Sequence, residues 1–583
     1  MKFEKINWKS AYEWLEQKQE MLLKAYKKRD IETIRRIQCA ILKDFRTTAI
    51  AVRRISENQG SSTPGVDKLT VKTIKERNEL AQKTHKIMCN PSKYIASPIR
   101  RIWIPKSDGT KRPLGIPTTL DRAIQAVYLE AIDPIVEEQS CLDSYGFRKL
   151  RSPQDAVLAF RSKLIHPKAS EWVLNVDIKK CFERISHDFL LRHIPVHRKV
   201  DRNIMMKMLK ANVINQGKTE ILNEGTPQGS VLSSVLSNIA LNGLEEMIKK
   251  ESIVINTKLY KKYKRNLNVH VVRYADDFLI IGSSKKFLKG LEYKLRDFLK
   301  ERGLDISKEK SSLVNLRENE VKFLGFTFKK RKFNYRVRTE IVWSKRKSKA
   351  THKIIIKISK AKLLFFKKRV REIIKRNNDL STLVINLNNY LRGWTNYFAL
   401  TSDSAKQIRD LHRFILKLCR IKVKKLYPKM GKKEMKRRFF PKHVFYQHGR
   451  YVKRSWVFSV PVKLERPSDN KAKVRLYNLD SVKAPGKPII PKGLNAYCSI
   501  EKVKLQRKKS LLPLTSSLEK AVIQQKEICP VCGQSLMNGE GLELHHSPSI
   551  QKLRVTHMLS KNVKLIALHK LCHRQLHKKQ ADI

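Results

Sequence analysis

VVRYADDFLII, Val271 to Ile281, sets two acids, Asp276 and Asp277, between two apolar runs. Each run has strand length and β-branched or aromatic content. The stretch predicts a β-hairpin with Ala275, Asp276 and Asp277 at its tight turn. Carboxylates on a turn between two buried strands are held in place, as a hard divalent cation requires of its oxygen ligands. Taken alone, two adjacent acids at a turn are ordinarily a solvated loop, so the surrounding chain has to decide.

Upstream, EWVLNVDI at 171–178 reads as a buried strand closing on Asp177, with Trp172, Leu174 and Val176 alternating. An acid there is costly unless it is paired or bound to metal. Phe182, five residues on, reads by itself as a core aromatic. EGTPQGSVLSSVLSNIALN at 224–242 joins a Pro-Gly loop to a helix, with Ser230 as its cap and Leu232, Val235, Leu236 and Ile239 on one face. Downstream, a helix is expected over 284–302, striped by Leu288, Leu291, Leu295 and Phe298 and stopped by Gly303. VKFLGFTF, Val321 to Phe328, is a further strand signal. This order suits a split β-α-β core of ferredoxin type. Such a core can bring the end of strand 171–178 beside the acidic turn, so that Asp177 and Asp276 face each other with Asp277 adjacent. Three carboxylates at one point repel, and metal is the natural solution. Two Mg²⁺ ions roughly 3.5–4 Å apart would activate a 3′-hydroxyl and stabilise a leaving pyrophosphate.

Farther out, residues 1–55 read as helices, and Asn58 to Asp67, NQGSSTPGVD, as a loop whose composition is that of a linker. SPIRRIWIPKSDGTKRPLGIP at 97–117 predicts a basic hairpin from which Lys106, Lys111 and Arg112 project. Such a hairpin is either a solvated edge or a grip on a triphosphate, where Arg offers a two-pronged contact and Lys a point charge. A helix is expected over Asp121 to Ile132. The chain has 583 residues and a formal charge of +71, from 124 Lys and Arg against 53 Asp and Glu. So basic a chain repels itself unless a polyanion neutralises it, which points to nucleic acid. No apolar run approaches a membrane span. The N-terminal stretch has neither a secretory core nor an acid-poor transit pattern, and the scattered Cys suit a reducing interior.

The blocks NQGSSTPGVD, IPKSDGTKRPLGIPT, YGFR at 145–148, NVDIKKCF, GTPQGS, RYADD and VKFLGF, in that order, resemble those of reverse transcriptases encoded by group II introns. The resemblance implies an α+β multidomain chain built as a right-hand polymerase, with fingers and a ferredoxin-like palm. It implies DNA synthesis on an RNA template from deoxynucleoside triphosphates, with Asp177 and Asp276 as main Mg²⁺ ligands and Asp277 as the third acid. Phe182 would be the gate against a ribose 2′-hydroxyl, Gln228 would line the nucleotide pocket, and Lys106 and Arg112 would hold the triphosphate. YLRGWTNYF, Tyr390 to Phe398, with a basic helix at 405–425, resembles the α-helical thumb or maturase region that binds intron RNA in this family. Members often act as dimers, so a homodimer is one expected assembly.

Near the C-terminus, Cys529-Pro-Val-Cys532-Gly has zinc-knuckle spacing, and its partner pair is read as His569 and Cys572, giving three thiolates and one imidazole around a structural zinc. Between the pairs lie Glu543, Leu544, His545 and His546; His573 and His577 follow at i, i+4 on one helix face. The arrangement resembles an HNH endonuclease with a ββα-metal fold. By that resemblance His546 is the general base, while His545, His573 and His577 hold Mg²⁺ or another divalent ion. The expected domains are an N-terminal helical extension at 1–55, fingers and palm at 56–335, maturase or thumb at 340–460, a basic linker and DNA-binding region at 461–525 and the HNH module at 526–583. The expected function is intron mobility: RNA splicing as a maturase, nicking of target DNA and reverse transcription primed from the nick. The expected setting is a bacterial cytoplasm, or a chloroplast or mitochondrion that encodes the chain, without secretion or membrane. Lys564 stands where the HNH family has its middle Asn, which carries the alternative of a splicing-only maturase with an inactive HNH zinc tail.

Overall fold

Four helices, Trp8–Lys27, Ile31–Lys43, Phe45–Glu57 and Ile74–Cys89, pack against a fifth, Thr119–Gln139. Their starts are fixed locally: Asp30 accepts from the Thr33 N–H at 3.0 Å, and Thr73 with Glu76 forms a capping box. The fifth helix is buried on nearly every side. It runs past Pro134, beyond the expected end at Ile132, because burial all round outweighs the roughly 3 kcal/mol that an interior proline costs.

The computed structural model describes residues 2–105, 109–165, 171–263, 269–332, 352–400, 402–447, 450–454, 456–461, 473–479, 493–506, 518, 521–522, 524–536, 538, 540–547 and 564–581. Lys106 lies outside these residues, and His546 is described only through its backbone. No described helix is long and apolar enough to cross a membrane.

The stretch 58–67 is not a free linker. Arg122 donates to the carbonyls of Gly60 at 3.2 Å and Thr63 at 3.0 Å. Gly65 lies so close to Thr118 that a Cβ would come within 2.8 Å of its Cα. Beyond it, Ile99–Pro105 and Lys111–Ile116 form the expected antiparallel hairpin. It is extended by Val213–Asn215 and Lys218–Glu220 into a four-stranded sheet.

The second four-stranded sheet carries the acids. Its spatial order is His270–Tyr274, Asp277–Gly282, Trp172–Val176, Ser312–Asn315, all antiparallel. In chain order that is second, third, first, fourth, the ferredoxin-like arrangement. The hairpin turn is shorter than expected: Tyr274 pairs with Asp277, leaving only Ala275 and Asp276 between the strands. Ala275 takes the left-handed conformation at φ 58°, uncommon for a residue with a Cβ. Outside support holds it there. Tyr145 N–H donates to the Arg273 carbonyl at 2.9 Å, and Arg273 N–H to the Asp143 carbonyl at 2.9 Å.

VKFLGFTF is two strands, not one. Leu324 and Gly325, at φ 48° and 83°, turn Val321–Phe323 back onto Phe326–Lys332, which also pairs with His352–Ile358. The helix Lys360–Arg376 then packs against both Leu380–Phe398 and Ala405–Leu426. Ser230 does not cap its helix. That helix starts at Ser233 with Leu232 as N-cap, and the Ser230 hydroxyl donates to Gln125 at 2.9 Å. At the C-terminal end, Leu542–Ser547 pairs antiparallel with Lys564–His569, and the helix Lys570–Ala581 follows at once.

Gly146 is the tightest contact on the acidic turn: a Cβ there would stand 2.2 Å from the Ala275 nitrogen. Gly146→Ala is therefore expected to destabilise the protein by about 2–3 kcal/mol. A denaturant titration checks this, and an unchanged midpoint would remove Gly146 from its supporting role.

Candidate functional site

Strand pairing brings the acids together. Val176 pairs with Phe278, so Asp177, the next residue, emerges at the turn end of the sheet, the end where Asp276 and Asp277 lie. The pairing ends there, so Asp177 leaves its strand beside the turn that carries the other two acids. The Asp177 backbone is pinned as it leaves the strand. Its N–H donates to Ser311 Oγ at 3.1 Å, and its carbonyl accepts from the Ser307 N–H at 2.8 Å.

The electrostatics agree with this placement. Asp277 is exposed on its outer side, yet loss of solvation to the surrounding protein is the largest cause of a rise to about 6. The charges of Asp276 and Asp177 raise it further, and Lys310 partly offsets them. Cys181 is pushed up to about 12, by burial first and then by Asp276 and, more weakly, Asp177. The three carboxylates thus share one field, though their oxygens are not all within 4.8 Å of one another. A solvent-accessible set of carboxylate oxygens is the donor set of a hard divalent cation.

Phe182 follows Cys181, the residue whose thiol feels the charges of Asp276 and Asp177. It is buried, with its ring 6.0 Å from that of Phe147, edge to face. Its carbonyl accepts from the Thr226 N–H at 2.6 Å, which ties it to the GTPQGS loop. In that loop Gly225, at φ 86°, lies so near the Glu183 backbone that a Cβ would come within 2.5 Å. His187 bonds the Gly225 carbonyl at 2.7 Å. The next part of the loop lies on the basic hairpin. Gly115 N–H donates to the Gln228 carbonyl at 2.8 Å, and the Arg112 guanidinium donates to the Gln228 side chain. Arg112 and Gln228, expected to act on one nucleotide, are therefore direct partners.

Tyr397, on the helix Leu380–Phe398, reaches the same end of the sheet. Burial pushes its hydroxyl up to about 12, with smaller contributions from Tyr274 and Asp277. The rings of YLRGWTNYF are mostly packed on one another. Trp394 lies 4.4 Å from Phe366 and 4.7 Å from Phe398, which is itself buried. They hold the helices together, and the exposed cations sit elsewhere. Lys406, Arg409, Arg413, Lys417, Arg420 and Lys424 line one exposed face of Ala405–Leu426, opposite the buried Ile408, Leu411, Ile415, Cys419 and Val423.

The C-terminal region holds two clusters. Cys529, Cys532, His569 and Cys572 are all buried, with ligand atoms mutually within 4.8 Å. Gly533 at φ 70° lets the knuckle turn back, its N–H donating to the Cys529 carbonyl at 2.8 Å. Three sulfurs and an imidazole in a dry pocket are the donor set of a tetrahedral structural metal. The second cluster is His545, His573 and His577, again within 4.8 Å. Glu543, which sequence reasoning passed over, holds His573 Nδ1 at 2.8 Å, and such a carboxylate fixes a metal-binding imidazole's orientation. Its one signal in the sequence is its place two residues before His545 on a strand, hence on the same face.

Residues 104–328 match the family described as reverse transcriptase (RNA-dependent DNA polymerase), residues 3–84 the N-terminal domain of reverse transcriptase, and residues 364–440 the group II intron maturase-specific domain. The COX1/OXI3 intron 1 protein of Saccharomyces cerevisiae is 29% identical over 49% of this chain and 39% of its own length. Protein YkfC of Escherichia coli is 28% identical over 49% and 81%, and the group II intron-encoded protein LtrA of Lactococcus lactis is 27% identical over 61% and 69%. The chain thus spans well under half of the yeast relative's length. The solved telomerase structure from Candida albicans aligns over 58% of each chain at 14% identity and a TM-score of 0.36, too loosely to bear on any residue here.

The raised carboxyl of Asp277 has a consequence for stability. Its folded value of about 6 exceeds the ordinary 3.8, so between those values the native state binds more protons than the unfolded one. Stability is therefore lost as pH rises through that window. In EDTA, Asp277→Asn should melt above the parent protein at about pH 7.5, and the gap should close by about pH 4. Equal melting temperatures at both pH values would contradict a shared field.

Proposed function

We propose that this chain, which carries the reverse transcriptase and maturase-specific domains of group II intron proteins, copies intron RNA into DNA and assists that RNA's splicing. The observation that carries the reading is the arrival of Asp177 at the end of its strand beside the turn that carries Asp276 and Asp277, with the charges of Asp177 and Asp276 both felt at Asp277. Asp177, Asp276 and Asp277 would hold Mg²⁺, which when bound lowers the pKa of a primer 3′-hydroxyl and stabilises charge on the leaving pyrophosphate. Arg112 would orient the deoxynucleoside triphosphate by its fork of donors, with Lys106 as a second cation. Gln228 would lie along the nucleotide, and Phe182 would exclude a 2′-hydroxyl by contact.

The exposed cationic face of Ala405–Leu426 borders a cavity of about 780 Å³ that includes Arg413, Lys417, Arg420 and Trp456. Cations beside an apolar recess suit a folded RNA, whose phosphates and splayed bases need both. The segment 340–460 would be the RNA-binding maturase domain, 56–335 the fingers and palm, and 461–525 a DNA-binding connector. In the last segment, 526–583, the Cys529, Cys532, His569 and Cys572 set would hold zinc. The ββα order and the cluster of His545, His573 and His577 support an HNH nuclease, with His546 as base and those three histidines on a divalent ion. The whole would nick target DNA and extend from the nick on intron RNA, in a bacterium or in an organelle that encodes it.

Asp276→Ala should lower primer extension on an RNA template by about three orders of magnitude, equivalent to about 4 kcal/mol of barrier. Normal extension by that variant would end the polymerase reading. For the nuclease, His546→Ala should abolish nicking of a target DNA while extension survives. The splicing-only alternative rests on Lys564, paired with Ser547 on the strand where the HNH family has Asn. Tight intron-RNA binding by the parent protein with neither primer extension nor nicking would favour it.

A further inference from the structure

The buried Cys and His cluster does not stand alone at the C-terminus. Arg53, on the N-terminal helix Phe45–Glu57, is fully buried and reaches it across 519 positions of sequence. Its Nη2 donates to Cys572 Sγ at 3.3 Å and lies 3.9 Å from Cys532 Sγ. The same nitrogen meets Glu540 at 2.7 Å, and Nε lies 3.1 Å from both Glu540 oxygens. The guanidinium also stands 4.8 Å from the Trp8 ring and 5.8 Å from that of Tyr12, on the first long helix. Gln534 donates to Glu16 at 3.2 Å across the same surfaces, and Gly533 is near enough to the first helix that a Cβ on it would meet Lys9 at 3.7 Å.

We infer that the metal cluster is an intramolecular clasp: loaded with zinc, it recruits Arg53 and locks the C-terminal module onto the N-terminal helices. The inference rests on the zinc assignment proposed above. Three thiolates and one divalent ion carry one net negative charge, and a buried anion requires a buried cation nearby. Arg53 has the mirror-image need, because a fully buried guanidinium is costly with Glu540 as its sole anion. Each charge therefore stabilises the other's burial, and the bonds from Nη2 to sulfur orient the thiolates from outside the coordination shell. The Trp8 and Tyr12 faces complete the guanidinium's surroundings with aromatic rings. A module held this way carries its His545, His573 and His577 cluster on a fixed platform, with no swinging tether.

The test uses the full-length protein purified with zinc, by elemental analysis and by hydrogen exchange of Trp8–Lys27, Phe45–Glu57 and 527–545. The parent protein should hold one zinc. Removing it with a chelator should raise exchange in the two N-terminal helices together with the knuckle. Arg53→Met should keep the metal at saturating zinc, release it to a chelator about 10- to 100-fold faster and show the same paired rise in exchange. Arg53→Lys, which keeps the charge, should fall between. Absence of stoichiometric zinc in the parent would overturn the metal assignment and the clasp with it. Zinc present, with N-terminal exchange unmoved by chelation, would overturn the clasp alone. Because the chelation arm uses the parent chain, the inference can fail even where Arg53→Met does not fold. Glu540→Gln separates the remaining reading: if that variant alone reproduces the paired rise while zinc removal does not, Arg53 serves only an ordinary ion pair.

Discussion

Like charges do not gather without force, and in this protein the force is antiparallel pairing of Trp172–Val176 with Asp277–Gly282. Every residue of the first strand is matched, and the second is also held by His270–Tyr274 on its far side. Slipping the pairing by one residue would turn Val173, Leu279 and Ile281, all buried, out of their core, so the register is set by apolar burial. The acids ride on that register. Desolvation first, and then the charges of Asp276 and Asp177, raise the Asp277 carboxyl, and the strands behind them bear that unfavourable placement. A site that is unfavourable by itself is thereby available to a cation.

The turn needs more than its two strands, because Ala275 occupies a conformation that glycine would take more readily. What holds it is the segment Asp143 to Arg148. Arg148 grips Glu137 through two nitrogens, at 2.8 and 2.7 Å, and the carbonyls of Cys141 and Ser144 through a third. That buried fork fixes the loop to the end of the helix Thr119–Gln139. The loop then presents the glycine that can approach Ala275, and Asn238 binds the Gly146 carbonyl at 3.1 Å. Motifs far apart in the chain thus prove to be one contact, with YGFR supporting YADD from behind.

Local pattern carried the strands, the hairpin and the amphipathic helices of this fold into view, because each buries a face with its own period. Reading failed where a single residue had to be placed by distant packing. LG inside VKFLGFTF looks like strand interior, yet only a turn lets both halves reach the core. Pro134 looks like a helix end, yet the bundle around it keeps the helix going. The aromatics of YLRGWTNYF look like a stacking platform, yet Phe366 and Phe398 already occupy their faces. At the site, Asp177, Asp276 and Asp277 were legible from acids on apolar strands, whereas the Arg112–Gln228 bond was not, since no pattern relates a hairpin edge to a loop 116 residues away. Arg53 had no signal at all, one arginine among many on a basic chain.

That last failure has a physical lesson about charge. Most cations here are solvated, spread along faces such as that of Ala405–Leu426, and a mobile polyanion can neutralise them collectively. A cation at zero exposure is a different object, since neither water nor a polyanion can reach it. It must be matched by fixed anions, and Arg53 has two sources, Glu540 and the thiol cluster. Arg273, buried behind the acidic turn, likewise has Glu245 among the charges that act on it. In a chain with an excess of 71 positive charges, acids such as Glu540 and Glu137 stand out because they are matched to buried arginines, Arg53 and Arg148, rather than to solvated ones. At these two positions the placement of the acid, more than that of the base, marks where the fold is built around a charge.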